Sequence, residues 1–232
     1  MKKRVLIILL IFVSCFNTIS YAECDSGDEY VYTLEELEQL KKETNKILAI
    51  IKSNKELRGS SVDRYARVPV RRFEQEYDNY CGPATVKQTM DSVTGYSESQ
   101  SYYARKIKTN KNGTDFDILA AYLRRNAHNN KPGLEESYVY EDIESIDYYY
   151  WLERIYYCLH NKQKPPVLDV YRFTPTSNGH FINIDTIDVR GSIQQVRVVD
   201  PNNDRRYGGS EWYDANFVFT SNINHSKHHA LW

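Results

Sequence analysis

The spacing of apolar residues along the chain changes from a helical period in the middle of the sequence to an alternating period near its end. Between residues 81 and 160, apolar side chains recur about every third or fourth position, as they do in amphipathic helices. From residue 167 onward they alternate with polar ones, as they do in strands. Helices followed by an antiparallel sheet predict an α+β fold.

Helix caps divide the first of these regions into four predicted helices. Pro83 suits a first turn and Gly95 suits the position after a last turn, so they bound one helix. The predicted helices run from Gly82 to about Val93, over a short stretch from Ser97, from Thr114 and Asp115 through Leu123, and from about Ile146 to His160.

The second region predicts four strands and one hairpin. The strands are Val167–Phe173, His180–Val189, Ile193–Val199 and Phe217–Thr220. Gly191 and its neighbour form the turn between the second and third strands, which therefore pair as a hairpin.

The first 22 residues have the three parts of a secretory signal peptide. Residues 2–4 are basic, and Val5–Val13 is an unbroken apolar run. Ser20–Ala22 carries small residues at the positions that a signal peptidase recognises. The run is about half as long as the ~20 residues that span a bilayer. We expect cleavage after Ala22, a secreted or periplasmic protein, and no stable membrane insertion afterwards. Lipidation of Cys15 is the alternative, and Phe12 fits it poorly.

Residues 23–60 are expected to form a segment ahead of a domain that covers 61–232. Thr33 and Glu36 form a capping box at the start of a helix that runs to about Lys52. Its apolar stripe consists of Leu37, Leu40, Ile47 and Ile51. A helix this short needs a surface for that stripe, either on its own domain or in an oligomer. Polar residues 54–66 are interpreted as a linker.

Charge and cysteine content narrow the function classes. The chain has 30 Lys and Arg against 31 Asp and Glu, and loss of residues 1–22 leaves 27 against 31, a net charge of −4. This balance gives no attraction to nucleic acid. Cys24, Cys81 and Cys158 remain after cleavage, an odd number, so at least one thiol is free or pairs between chains. A Cys24–Cys158 disulfide is left open.

Cys81 is the residue most suited to nucleophilic chemistry. It stands at the expected start of a helix, where the positive end of the helix dipole favours a thiolate. Its backbone N–H would point at a developing oxyanion, and Gln75 could add its side-chain amide as a second donor. Gly82 would allow a substrate to approach closely. The alternative is a buried, inert cysteine.

His180 is the best placed of the six histidines to act as the base that a thiol nucleophile needs. It follows Gly179 and opens a predicted strand, so its ring could project into a cleft. Asp200 ends the strand that returns through the Gly191 turn. Its carboxylate could therefore fix the imidazole tautomer and stabilise the imidazolium.

Three further histidines, His225, His228 and His229, lie close to the C-terminus. They could share a metal ion, but no Cys or acidic residue in that tail completes a tetrahedral set. We expect a loose surface tail there, and neither a metal nor a cofactor is expected elsewhere in the chain.

The segments around these residues together resemble the C39-like branch of the papain-like cysteine peptidases. The resemblance covers about residues 66–221 and rests on Gln75 with Cys81-Gly82-Pro83-Ala84, on Gly179-His180-Phe181 and on Val199-Asp200-Pro201. It implies a helical half that faces an antiparallel sheet across a cleft. It also implies a nucleophile (Cys81), a base (His180), an orienting residue (Asp200) and an oxyanion donor (Gln75).

The chain departs from the best-known members of that branch, which clip double-glycine leader peptides and are fused to membrane-spanning exporters. It carries an export signal, so that role is not expected to transfer. We expect an exported peptidase that acts on a peptide or protein substrate. The alternatives are acyl transfer by a transglutaminase or amidase with the same residues, and a non-catalytic binding module. The helix at Thr33–Lys52 could be a removable cover over the cleft or a permanent brace.

Overall fold

The computed structural model describes residues 64–129, 137–171, 173, 179–204, 208–225 and 229–232. The signal peptide, Cys24 and the predicted helix at Thr33–Lys52 lie outside these residues. Within the described part of the chain, no helix has the length and apolar character needed to cross a membrane.

Five helices occur in the described residues, and four of them match the predicted ones. They are α1 (Cys81–Thr94), α2 (Gln100–Lys106), α3 (Phe116–Asn126), α4 (Tyr148–Tyr157) and α5 (Ala215–Ile223). A turn of π-helix, Cys158–Lys162, continues α4.

The ends of these helices follow the capping residues. Gly95 ends α1 in the left-handed conformation with φ 75°, which glycine adopts without strain. The cap of α2 is Ser99, two residues later than predicted, because its side chain accepts a hydrogen bond from the N–H of Tyr102. Asp115 caps α3 in the predicted way. The apolar face of α3 is buried and consists of Phe116, Leu119, Ala120 and Leu123.

An antiparallel sheet forms the other half of the domain. Its described strands are β1 (Arg64–Arg67), β2 (Tyr140–Asp142), β3 (Val167–Val170), β4 (His180–Val189), β5 (Gln195–Asp200), β6 (Gly209–Asp214) and β7 (His229–Leu231). Their order is β2-β7-β3-β4-β5-β6, and β1 pairs with the second half of β4. Helices and an antiparallel sheet confirm the predicted α+β class.

The hairpin of β4 and β5 is the part of the sheet that the sequence predicted best. The observed β4 has the predicted ends, and Gly191 in the turn has φ 60°. The strands pair antiparallel, with Asn183 opposite Val199. The end of β5 therefore returns beside the start of β4, where the predicted base lies.

The prediction of a strand at Phe217–Thr220 is wrong, because these residues lie in α5. Asp214 caps this helix by accepting a hydrogen bond from the N–H of Phe217 at 3.1 Å. Buried side chains follow at helical spacing, namely Ala215, Val218, Phe219 and Asn222. Phe and Val favour strands in isolation, but the cap and this buried face decide the local structure.

The predicted linker and the predicted C-terminal tail both contain strands. Residues 64–66 of the linker belong to β1, which pairs with β4. The tail forms β7 between β2 and β3, so the prediction of a loose surface tail is wrong. Trp232 is fully buried and exchanges two backbone hydrogen bonds with Val139.

Candidate active site

Cys81 lies at the first residue of α1 and is half-buried. No side chain caps this helix, and its first turn contains no acidic residue. The backbone N–H groups of a first turn have no carbonyl partner within their own helix. The positive end of α1 is therefore directed at the thiol and at any negative charge that develops beside it.

Glycine is required at position 82 because another part of the protein packs closely against it. A methyl group at this position would overlap the side chain of Thr114, in the loop that precedes α3. The Thr114 hydroxyl is in turn hydrogen-bonded to that of Thr109 at 2.7 Å. The close approach that we predicted for a substrate is thus made by Thr114, which holds a loop against the start of α1.

The structure brings His180 between Cys81 and Asp200. The Cys81 side chain lies close enough to the His180 ring to raise its pKa, and the ring Nε2 lies 2.6 Å from Asp200 Oδ1. Asp200 Oδ1 also accepts the backbone N–H of Asn202 at 2.7 Å, which fixes the carboxylate. Because Nε2 is engaged by Asp200, Nδ1 is the nitrogen left to exchange a proton with the thiol.

The surroundings of His180 favour its protonated form. Burial of the ring opposes protonation, but hydrogen bonds to Asp200 and Cys81, together with the charges of these two groups, outweigh burial. They raise the pKa of His180 from 6.5 to about 10. The imidazolium is therefore the favoured form near neutral pH.

Gln75 is buried close to these residues, but its amide is occupied. Its Nε2 donates to the backbone carbonyls of Tyr77 and Asp78, each at 3.1 Å, in the loop that leads to Cys81. Its backbone N–H donates to Pro201 O at 2.7 Å, next to Asp200. Gln75 thus joins the two loops that carry Cys81 and Asp200, and a substrate oxygen would have to displace one of its carbonyl partners.

Arg72 is a residue of the site that sequence reasoning missed. Its Nε donates to the backbone carbonyl of Asp200 at 2.8 Å, and its Nη2 donates to that of Asn202 at 2.6 Å. These bonds hold the turn after β5 and thereby the carboxylate of Asp200. The segment around Arg72 has no distinctive pattern, so the sequence offered no signal for this role.

His225 and His229 are both fixed within the domain. His225 Nδ1 lies 3.2 Å from Asp169 Oδ2, and both side chains are buried. His229 lies in β7 and packs against the rings of Phe116 and Tyr140. Among the described residues, no three His, Cys, Asp or Glu side chains are grouped as metal ligands would be.

Cys158 differs from Cys81 in both burial and electrostatics. It carries a free thiol and is fully buried. Burial raises the pKa of the Cys158 thiol to about 11, although the nearby Lys162 and Lys164 act against it. Cys158 is therefore unreactive compared with a half-buried thiol at a helix start.

A thiol at a helix start that faces an imidazole on an antiparallel sheet is the arrangement of the papain-like cysteine peptidases. The sequence model of the Peptidase_C39 like family matches residues 67–227. The chain therefore belongs to the Peptidase_C39 like family. This match confirms the predicted resemblance and, at the level of the family, the predicted cysteine peptidase.

Solved structures with similar chains include two peptidase domains. One is the peptidase domain of Streptococcus ComA, a bifunctional ABC transporter involved in quorum sensing. It has 15% identity and a TM-score of 0.46, and the match covers 70% of this chain and 96% of that one. The other is a double glycine motif protease from an AMS/PCAT transporter in complex with the leader peptide. It has 11% identity and a TM-score of 0.46, with 72% and 91% covered. A comparison with curated proteins finds no match.

Proposed function

We propose that this protein is an exported cysteine peptidase that cleaves amide bonds through Cys81, His180 and Asp200. One observation carries the proposal: the thiol at the uncapped start of α1 lies beside an imidazole whose far side is held by a buried carboxylate. Each member has the partner that its role requires. Belonging to a cysteine peptidase family supports the same assignment.

The proposed reaction begins with a proton transfer from Cys81 to His180. The thiolate attacks the carbonyl carbon of the scissile amide and forms a tetrahedral intermediate. His180 then donates the proton to the leaving amine, and the C–N bond breaks to leave a thioester. Water, deprotonated by His180, attacks the thioester, and departure of the Cys81 thiolate restores the enzyme. The raised pKa of His180 favours its protonated form, so the ring can hold the proton that the thiol gives up.

Two groups would stabilise the oxyanion of the intermediate. The backbone N–H of Cys81 lies at the positive end of α1. Gln75 would supply the second donor after it releases Tyr77 O or Asp78 O. Removal of one oxyanion donor lowers kcat by roughly 10²–10³-fold in well-studied hydrolases. We expect a loss at the lower end of that range for Gln75→Ala, because the Gln75 amide must first give up one of its hydrogen bonds to a backbone carbonyl.

Export rests on the signal peptide that the sequence predicts at residues 1–22. The substrate would then be a peptide or protein outside the cytoplasm. Acyl transfer to an amine requires the same residues and differs only in the group that resolves the thioester. Product analysis with and without an added primary amine distinguishes the two reactions.

Thiol labelling of the mature chain tests the proposal directly. Iodoacetamide at neutral pH is expected to modify Cys81 rapidly and Cys158 slowly, as mapped by mass spectrometry of the digested protein. Cys158 is the matched control within the chain, because it is a free thiol buried away from the helix start. Equal labelling of both thiols, or labelling of Cys81 that is unaffected by His180→Ala, would contradict the proposed role of the pair.

A further inference from the structure

A buried line of polar side chains connects the helix that carries Cys81 to the strand that carries His180. We propose that Thr85 and Thr89 are positioning residues, whose hydroxyl groups hold α1 in register with β4 and thereby set the thiol against the imidazole. The inference rests on the proposed function, because register matters for the chemistry only if the two groups act together.

The first connection lies one turn below the nucleophile. Thr85 follows Cys81 by four residues, which places the two on the same side of α1. Its Oγ1 donates to the backbone carbonyl of Phe181 at 3.0 Å, and Phe181 is the residue after His180. Thr85 is fully buried, so this bond is shielded from water. A single hydrogen bond thus joins the two segments close to their reactive residues.

A second connection repeats the first one turn deeper. Asn183 Nδ2 donates to Thr89 Oγ1 at 2.9 Å, and Thr89 Oγ1 donates to Thr85 O at 2.9 Å. The partners advance by four residues on the helix and by two on the strand. These are the intervals at which a helix and a strand return to the same face. The two connections therefore define one register between α1 and β4.

Apolar packing alone would hold this contact with less directional precision. Val86 of α1 and Phe181 of β4 both belong to the buried apolar core, and such packing would keep the helix on the sheet without the hydroxyl groups. Hydrophobic burial is non-directional, whereas a hydrogen bond fixes both a distance and an angle. A misplacement of 1 Å can reduce catalysis by roughly 10²-fold. The polar line therefore supplies the directional constraint that apolar packing lacks.

Thr85→Val tests the inference, because valine keeps the shape of threonine and removes the hydroxyl group. The measurement is the rate of Cys81 alkylation by iodoacetamide as a function of pH, with circular dichroism and thermal melting to establish the fold. We expect the rate at neutral pH to fall ~10-fold and the midpoint of the pH profile to move upward, as the thiol loses register with His180. Thr85→Ser restores the hydroxyl and is expected to restore the profile.

Thr94→Val is the matched control, because it makes the same change at the far end of α1. The Thr94 hydroxyl bonds to Met90 O and Tyr96 O and so makes no connection to β4. A wild-type profile is expected for this variant. An unchanged profile in folded Thr85→Val, or an equal change in Thr94→Val, would overturn the inference.

Two further variants cover the remaining outcomes. If Thr85→Val does not fold, Thr89→Val decides: a smaller shift in the same direction supports the inference, and a wild-type profile overturns it. His180→Ala separates this inference from the proposed function. If its alkylation profile equals that of the wild type, the thiol–imidazole pairing itself fails. If it differs while the threonine variants match the wild type, only the positioning role fails.

Discussion

Two buried imidazole–carboxylate pairs lie in the same domain, and one of them lies beside the thiol of Cys81. His180 is held by Asp200 at 2.6 Å, and His225 is held by Asp169 at 3.2 Å. The pairs are near neighbours, because His225 Nε2 lies only 2.9 Å from where a methyl group on Gly179 would be. Gly179 is the residue before His180, so the second pair lies beside the start of the strand that carries the first.

The two pairs differ in what lies on the side of the imidazole ring that faces away from the carboxylate. The free side of the His180 ring faces Cys81 at the start of a helix, whereas the ring of His225 lies beside Gly179. A hydrogen-bonded imidazole is therefore not sufficient for a site of this kind. Reactivity requires a nucleophile in a position that stabilises its anion, and α1 provides that position beside His180.

Cys81→Ala should have the largest effect, because it removes that distinguishing partner. We expect hydrolysis to be abolished, with a loss on the order of 10⁴-fold or more. The fold should persist, since the side chain is only half-buried. Activity assays with circular dichroism check both points. Cys158→Ala is the control, and it should retain turnover. Wild-type turnover in Cys81→Ala would place the nucleophile elsewhere.

His180→Ala should lower turnover nearly as much as Cys81→Ala does, since members of one catalytic unit act together. The double variant with Cys81→Ala is expected to be no slower than the worse of the two single variants. Steady-state kinetics of the three proteins provide the measurement. A double variant whose loss equals the product of the single losses would show that the two residues act independently.

Asp200→Asn should lower turnover less than Cys81→Ala or His180→Ala does, because it leaves the nucleophile and the base in place. The loss of the carboxylate charge removes one cause of the raised pKa of His180, so this pKa should fall. The alkaline limb of the activity profile should then move to lower pH. An unchanged limb would mean that Asp200 does not govern the protonation of His180.

The pH dependence of the wild type should report the same pKa. The pKa of His180 rises from 6.5 to about 10 on folding. The folded state therefore binds a proton more tightly than the unfolded one, and this binding stabilises the fold. The contribution is complete below about pH 6.5 and is lost as pH rises through about 10. Urea unfolding of the wild type and His180→Asn over this window should show a difference that shrinks toward alkaline pH.

His225→Asn should have the smallest effect on turnover, and it tests whether the second pair is structural. We expect kcat to change by less than about threefold, while the free energy of unfolding falls by ~1–3 kcal/mol as the polar contact with buried Asp169 is weakened. Denaturant unfolding and kcat measured on the same preparation check this expectation. A large loss of kcat with unchanged stability would give the second pair a direct part in the reaction.

The amino-acid sequence determined the parts of the site that depend on nearby residues. Pro83 and Gly95 mark the ends of α1, and the start of that helix places Cys81 at its positive end. The Gly191 turn pairs β4 with β5, which brings Asp200 beside His180 over an interval of twenty residues. Caps and short hairpins are local interactions, so their residues can be recognised in sequence order alone.

Only the tertiary structure decided the elements whose partners lie far away in the sequence. Trp232 pairs with Val139 and β1 pairs with β4, and neither segment has a pattern that requires a strand by itself. Phe217 lies in a helix although its neighbours favour strands, and His225 is buried because Asp169 receives it. The preference of a residue for a strand depends on what packs against it, and those neighbours are known only once the chain has folded.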